Sequence, residues 1–481
     1  MIGVVAAPAP LWRRGRGVHH ALAFWIVLGL AAFNVFWNLG TTAVSSMDEA
    51  RYGVAAGEML SRGDFLVPTY AGAAEYWNLK PPLGYWLIDG AFALFGRSVW
   101  SLRVVSACAA LAVIAGTMRL GRRRLGPLGV GLAGSIVATS FGFLSDHGAR
   151  SGDLDAVLTL LVTLALGLAL DLRNSRRARY AAAIIWGAAF LLKSFAIAPF
   201  LLAAGVFLLC QPDARPAIRD LVGPALVFTA IVGAWGVLRS LHDGSVQFLW
   251  RMIHEDLLQR SSSPIDGGTY SPLAYGGALV GDRLAPWPLL ALAGFWRGGP
   301  LRPSTDHGAV SDQRLWLCWA MLPLAVFSLA RTQHHWYLDP SYPAFALIAA
   351  GVAESLIERA STPAARARLI VALVALLLAC EWRVFYRIEY SDRRPQAQRT
   401  LLDLSRFQTP RHRLLATTFP LSHAERFLLQ VADGFDVRDS PTDAQLRSMV
   451  ASTSFVWILS RGRASDFVSA EVHEPDGRRT R

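Results

Sequence analysis

The chain has 481 residues, 53% hydrophobic and 17% charged, with a formal net charge of +12 and a mean hydropathy of +0.34. Soluble domains carry roughly 25% charged residues, so this composition excludes an ordinary soluble multidomain protein and a disordered chain. Cys108, Cys210, Cys318 and Cys380 all lie in apolar runs, which excludes a disulfide framework and a cysteine metal set.

A helix needs about 20 mostly apolar residues to cross a bilayer. In chain order such runs fall at 21–39, 99–118, 128–144, 156–170, 181–192, 195–209, 221–238, 273–295, 315–329, 342–352 and 369–382. The basic stretch before 21–39 resembles the start of a signal peptide, but the run is long for one, so it is read as a retained first helix. The run from 181 to 210 is interrupted by Lys193 and could be one crossing or two. Charge decides for two. With the N-terminus cytoplasmic, the clusters Arg119/Arg122–Arg124, Arg173/Arg176/Arg177/Arg179, Arg215/Arg219, Arg297/Arg302/Arg314 and Arg359/Arg366/Arg368 then all fall in short inner loops. In so apolar a chain, basic residues set membrane orientation, and no nucleic-acid partner is expected. The expected fold class is an all-α polytopic membrane protein of about eleven transmembrane helices with a small C-terminal α/β domain.

Two segments lie outside the bilayer in this reading. An outer loop covers about 40–97, and its apolar stretch 82–96 is too short to span and is expected at the interface. The tail holds strand-like runs at 414–419 and 455–459 between turn residues. The expected domains are therefore 1–382, the membrane domain with its loop, and 383–481, a small soluble domain outside the membrane on the face opposite the N-terminus.

The polar residues gather on the outer face. The loop opens Ser46-Met47-Asp48-Glu49-Ala50-Arg51-Tyr52, a helix start with Ser46 as cap and acids in the first turn, and equally a carboxylate with Arg51 on the same helix face. Trp77-Asn78-Leu79-Lys80-Pro81-Pro82-Leu83-Gly84-Tyr85 follows, either an interfacial anchor or an ammonium held stiffly for a phosphate. Lys80 and Lys193 are the only lysines among 47 basic side chains. A compact ammonium is not interchangeable with a guanidinium, so both are candidate functional groups. Asp146-His147-Gly148-Ala149-Arg150-Ser151-Gly152-Asp153-Leu154-Asp155 opens a later helix. Lys193 sits in an apolar run, which is costly unless it faces a cavity. Glu255-Asp256 with Arg260, then Asp282-Arg283 and Gln333-His334-His335-Trp336-Tyr337, complete the outer set.

Carboxylates and cations at the mouth of a membrane cavity suit a lipid-phosphate donor. Arg grips phosphate oxygens as a fork and Lys as a point charge. A departing phosphate is stabilised by cations, and a carboxylate takes the proton from an attacking hydroxyl. A single displacement inverts the anomeric centre.

Asp48-Glu49-Ala50-Arg51-Tyr52, Lys80-Pro81-Pro82-Leu83 with Tyr85-Trp86, and Phe95-Gly96 resemble the opening signature of GT-C glycosyltransferases. The resemblance is narrower to the branch of lipid A aminoarabinose transferases and bacterial relatives of protein O-mannosyltransferases. Ala149-Arg150 with Asp155-Ala156-Val157-Leu158-Thr159, Lys193, Pro286-Trp287 and the stretch Arg331 to Pro340 are similar to that branch's later motifs. The resemblance implies Asp48 as the principal acid-base residue, with Asp155 a second acid and Glu49 beside them. It implies Arg51, Lys80 and Arg260 as holders of the donor phosphate, and Tyr52, Tyr85, Lys193, Arg283, Gln333, His334 and Tyr337 as the substrate cavity. Two positions depart from the branch: Ser194 stands where glycine usually follows the lysine, and Gln333 where lysine often precedes the tyrosine.

The function the resemblance implies is inverting transfer of one sugar from a polyprenyl phosphate to an envelope glycolipid such as lipid A at the periplasmic face of the bacterial inner membrane, with the C-terminal domain periplasmic. A protein hydroxyl is the alternative acceptor, and a lipid or glycan transporter the alternative outside the class. No cofactor is named by the sequence: Asp48 and Asp155 could share a divalent cation, and two acids equally serve a metal-free mechanism.

Overall fold

In a computed structural model the described residues are 11–45, 47–76, 78–145, 147–264, 270–296, 307–403, 414–452 and 457–459. Ser46, Trp77, Asp146, Arg297, Arg302 and residues 455–456, on which expectations rested, lie outside them. Among the described residues six helical stretches are long and apolar enough to cross a membrane: Val18–Phe36, Val99–Gly121, Arg176–Cys210, Ile218–Asp243, His335–Glu358 and Pro363–Tyr390.

The chain forms two compact units. The first comprises residues 1–39, 76–84 and 103–391, and the second residues 40–75, 85–102 and 392–481. The outer loop is thus divided, and most of it clusters with the C-terminal segment.

In the first unit the opening helices are α1 (Leu11–Phe36) and, after the loop, the long helix Val99–Gly121, which begins in the second unit. Pro127–Ala138 follows, started by proline at its first turn, where the missing N–H costs nothing. The expected run 128–144 is not one helix. It stops at Thr139 and resumes as Phe141–Leu144. The run 273–295 is also broken, into Ala274–Ala278, a π-helical turn Leu279–Arg283 and Trp287–Trp296, with a cis Ala285–Pro286 bond between the last two.

The doubtful region around Lys193 resolves into two helices. Arg176–Lys193 is capped by Ser175, whose side chain accepts from Ala178 N–H, and ends in the short 3₁₀ turn Ser194–Ile197 before Ala198–Cys210 begins. Arg173, just before the first helix, reaches the carbonyl of Pro212 at 3.4 Å and Asp213 at 3.6 Å, just after the second. Their far ends therefore meet, and the chain runs out along one helix and back along the other. Ser194 makes the break with φ 45° and ψ −123°, a conformation that glycine adopts without strain.

The second unit is built on the helix Asp48–Arg62, which ends at Gly63 in the left-handed conformation, φ 69°. Gly53 and Gly57 lie on the face that meets Phe427 and Val431. A Cβ at Gly53 would stand 2.5 Å from the Phe427 ring, so the absent side chains are what let this helix approach the π-helical stretch Phe427–Ala432. Glu58 is buried between the two, accepting from the Thr69 hydroxyl at 2.6 Å and the Gln430 amide at 2.8 Å. The helix Leu83–Phe95 has 13 residues, about 20 Å of rise, which is short of a crossing as expected.

The C-terminal segment carries a three-stranded sheet with Leu414–Thr417 in the centre, flanked by Asp436–Asp439 and Trp457–Leu459, all parallel. Parallel neighbours need crossovers, which His423–Ala432 and Asp443–Ser452 supply. The two expected strands are present. The strand Asp436–Asp439 and both helices were missed.

Candidate active site

In the first unit, α-helical periodicity and one loop bring two charged clusters together through a row of aromatic rings. Asp155 opens the helix Asp155–Ala169 and is 3% exposed. Lys193, the last residue of the neighbouring antiparallel helix, donates to its carboxylate at 2.6 Å. His147 approaches the same acids, with Nδ1 3.5 Å from Asp153 and 3.9 Å from Asp155. Asp153 also accepts from the Ser151 hydroxyl. Gly148 is what lets this loop close, since a Cβ there would meet the Phe143 carbonyl oxygen at 2.0 Å.

The His147 ring stacks on Trp336 with centroids 3.6 Å apart and planes at 18°, and His334 stacks on Trp336 at 4.4 Å and 10°. Trp336 is thus flanked by two imidazoles. His334 packs edge-on against Tyr337 at 5.2 Å, and the Tyr337 hydroxyl accepts from Arg260 Nη1 at 3.3 Å.

Arg260 leads into the second cluster. Its Nε donates to Asp256 at 3.1 Å, one helical turn back, and Lys80 Nζ donates to the other oxygen of Asp256 at 2.7 Å. One carboxylate, 7% exposed, holds both cations. Burial raises the Asp256 carboxyl, but Lys80 and then Arg260 outweigh it and hold the group below its usual range.

In the second unit Asp48 begins the helix Asp48–Arg62 and is half-buried. The residue in the cap position is Met47, which makes no side-chain cap. Glu49 instead reaches back to the Ser45 N–H at 2.8 Å and is buried, so its carboxylate serves the helix start. Arg51 donates to Glu75 at 2.5 Å, contacts His423 Nε2 at 3.4 Å and lies over the Tyr70 ring at 4.5 Å. Tyr52 and Tyr85 pack ring against ring at 5.2 Å, 3% and 0% exposed, as part of this unit's core.

The structure therefore gathers Lys80, Arg260, Tyr337, His334, Lys193 and Asp155 in the first unit, and Asp48, Glu49, Arg51, Tyr52 and Tyr85 in the second. Two expected cavity residues stand elsewhere in the first unit. Gln333 pins its own loop, accepting from Ser271 N–H at 3.2 Å and donating to the Ser328 carbonyl at 3.3 Å. Arg283 lies over Phe141, which Arg383 and Arg387 also approach, at 5.0–5.4 Å. Asp256, Asp153, His147 and Trp336 were not among the expected site residues. The i, i+4 spacing of Asp256 and Arg260 was a readable signal. Glu75, Tyr70 and His423 carried none.

Bundled antiparallel helices with acids and paired cations at one end define a polytopic membrane fold with a polar site. Residues 79–238 match the family described as dolichyl-phosphate-mannose-protein mannosyltransferase. Over 386 residues the chain is 29% identical to an undecaprenyl phosphate-alpha-4-amino-4-deoxy-L-arabinose arabinosyl transferase of Pseudomonas fluorescens, covering 78% of this chain and 63% of the relative. A Pseudomonas aeruginosa protein of the same description is 28% identical over 358 residues, covering 70% of this chain and 60% of the relative. The chain spans less than two thirds of the length of these curated relatives. Among solved structures, ArnT from Cupriavidus metallidurans bound to undecaprenyl phosphate superposes with a TM-score of 0.63 at 18% identity, covering 93% of this chain and 89% of that one. The Archaeoglobus fulgidus oligosaccharyltransferase gives 0.55 at 12% identity, covering 88% and 65%. The resemblance read from the motifs, to GT-C glycosyltransferases of the aminoarabinose-transferase branch, is borne out.

Proposed function

We propose that this chain is an inner-membrane glycosyltransferase that moves one sugar from a polyprenyl-phosphate donor to a lipid acceptor on the periplasmic side. The observation that carries the reading is the convergence of Lys80 and Arg260 on Asp256. Two cations of different shape, fixed by one buried acid, form a ready holder for an anionic leaving group. The description of the arabinosyl transferase relatives and the undecaprenyl phosphate bound in the ArnT structure support the donor class.

In this proposal Arg51, Lys80 and Arg260 bind the donor phosphate. The acceptor hydroxyl attacks the anomeric carbon as the carbon–phosphate oxygen bond breaks, and the electron pair leaves with the polyprenyl phosphate. Asp48 takes the hydroxyl proton, and the anomeric centre inverts. Asp155, fixed by Lys193, is the second acid. The eleven-crossing topology, the cytoplasmic N-terminus and a periplasmic C-terminal segment belong to the same proposal. A divalent cation on the carboxylates is an added component that transfer assays after chelation, with and without Mg²⁺ or Zn²⁺ restored, decide.

The test is mass spectrometry of envelope glycolipids and proteins from cells with the gene, without it, and with Asp48→Asn. Loss of one sugar from a lipid, restored by the wild type and not by the variant, is expected. The same loss on proteins would move the acceptor to a protein hydroxyl, in line with the matching family's description. No mass change in either fraction, with the gene expressed, would overturn the transferase reading.

A further inference from the structure

Arg51 is held within its unit by residues far apart in sequence, and one of them comes from the C-terminal segment. His423 opens a short helix whose start is fixed by a capping box: Ser422 accepts from Glu425 N–H, and Glu425 accepts from Ser422 N–H. This fixes the backbone from which the imidazole projects. Its Nδ1 lies 2.5 Å from the Tyr70 hydroxyl and its Nε2 lies 3.4 Å from Arg51 Nη1.

The proton positions follow from chemistry. A guanidinium only donates, so Nε2 must accept, and in the neutral ring the proton sits on Nδ1 and is donated to the Tyr70 oxygen. A protonated ring would turn an N–H toward Arg51 and set two cations against each other.

We propose that His423 is a positioning residue for Arg51: its neutral imidazole, braced by Tyr70, fixes the guanidinium that takes the donor phosphate. This gives the C-terminal segment a part in donor binding, and it rests on the polyprenyl-phosphate reading above.

The surroundings keep the ring neutral. Arg51, Glu75, Asp48, Arg426 and Tyr70 face it. Burial, then Arg51, push the His423 pKa below its ordinary value, with Arg426 adding to them, against Glu75 and Asp48. The contact is therefore intact at neutral pH and is lost as pH falls through that depressed value.

The experiment measures binding of undecaprenyl phosphate to the full chain in detergent at pH 7.5 and pH 5. Wild type, His423→Ala and His423→Gln are compared, each checked by thermal melting. Glutamine keeps an acceptor near the Nε2 position without titrating. At pH 7.5 the alanine variant should bind about tenfold more weakly and the glutamine variant within about twofold of wild type. At pH 5 the wild type should weaken more than the glutamine variant, because changes in the lipid phosphate itself are common to both. Equal binding by all three proteins, or a glutamine variant that melts normally yet binds as poorly as alanine, would overturn the positioning role. Failure of the wild type to bind undecaprenyl phosphate at all would instead overturn the donor reading, and this inference with it.

Discussion

Lys193 and Asp155 meet at 2.6 Å from the ends of two antiparallel helices, with side chains 11% and 4% exposed. Removing one partner strands the other charge in a buried place, which costs about 3–5 kcal/mol. Lys193→Met should therefore lower the melting temperature of the detergent-solubilised protein sharply. The double variant Lys193→Met/Asp155→Asn should recover most of that loss while transfer stays abolished. A double variant as unstable as the single one would show that the pair is not the source of the effect.

Lys80 binds one oxygen of Asp256 as a compact donor while Arg260 takes the other. Lys80→Arg keeps the charge but replaces a point donor with a fork. Transfer should fall by at least about tenfold, with the melting temperature nearly unchanged. Near-normal kcat/KM in this variant would remove Lys80 from the donor site.

Asp256 predicts an acid limit to stability. Its carboxyl is held below the unfolded value of about 3.9, so its contribution is present at neutral pH and lost as pH falls through the folded value, below about pH 4. Melting curves from pH 7 to pH 3 should show this loss in the wild type. Asp256→Asn should be less stable at pH 7 and show a shallower fall.

Asp89 and Asp433 predict the opposite slope. Each is buried, and burial raises its pKa to about 7. The folded chain keeps these protons between about pH 4 and 7 while the unfolded chain releases them. Their effect is a stability that declines as pH rises through that window and levels off above it. The Asp89→Asn/Asp433→Asn protein should lose this decline, read as the difference in melting temperature between pH 5.5 and pH 8.

Ser194 occupies a glycine conformation in a buried turn. Replacing it with glycine relieves strain of about 1–3 kcal/mol but adds freedom to the unfolded chain. Ser194→Gly should raise stability by about 1 kcal/mol without loss of transfer. Gly148→Ala, by contrast, has backbone in its way and should destabilise the loop that carries Asp153.

Much of this was legible because membrane helices and charged motifs follow local rules. The separation of 181–192 from 195–209 could be read from inner-loop arginines alone, and Lys193 was singled out by its rarity. Ser194, a departure from the glycine that the resemblance leads one to expect, stands in a conformation that suits glycine. What could not be read depends on residues hundreds of positions apart. Tyr70 and His423 are separated by 353 residues, and no local pattern announces their contact. The broken runs 128–144 and 273–295 hid for another reason: hydropathy averages over a kink, so short non-helical links inside apolar sequence leave little trace. Where the side chains of Arg283 and Gln333 point could not be read either, because a motif gives a residue's position along the chain and not the direction of its side chain.

The hairpin tipped by Lys193 also bears on how the protein is made. A lone lysine is unwelcome in an inserting segment, by about 3 kcal/mol at the bilayer centre. Its partner precedes it by 38 residues, on a helix that leaves the ribosome first. The carboxylate that receives the ammonium is therefore translated before it. In synthesis order the counter-ion thus comes before the lysine, and a circular permutation that opens the chain between these two helices would reverse that order.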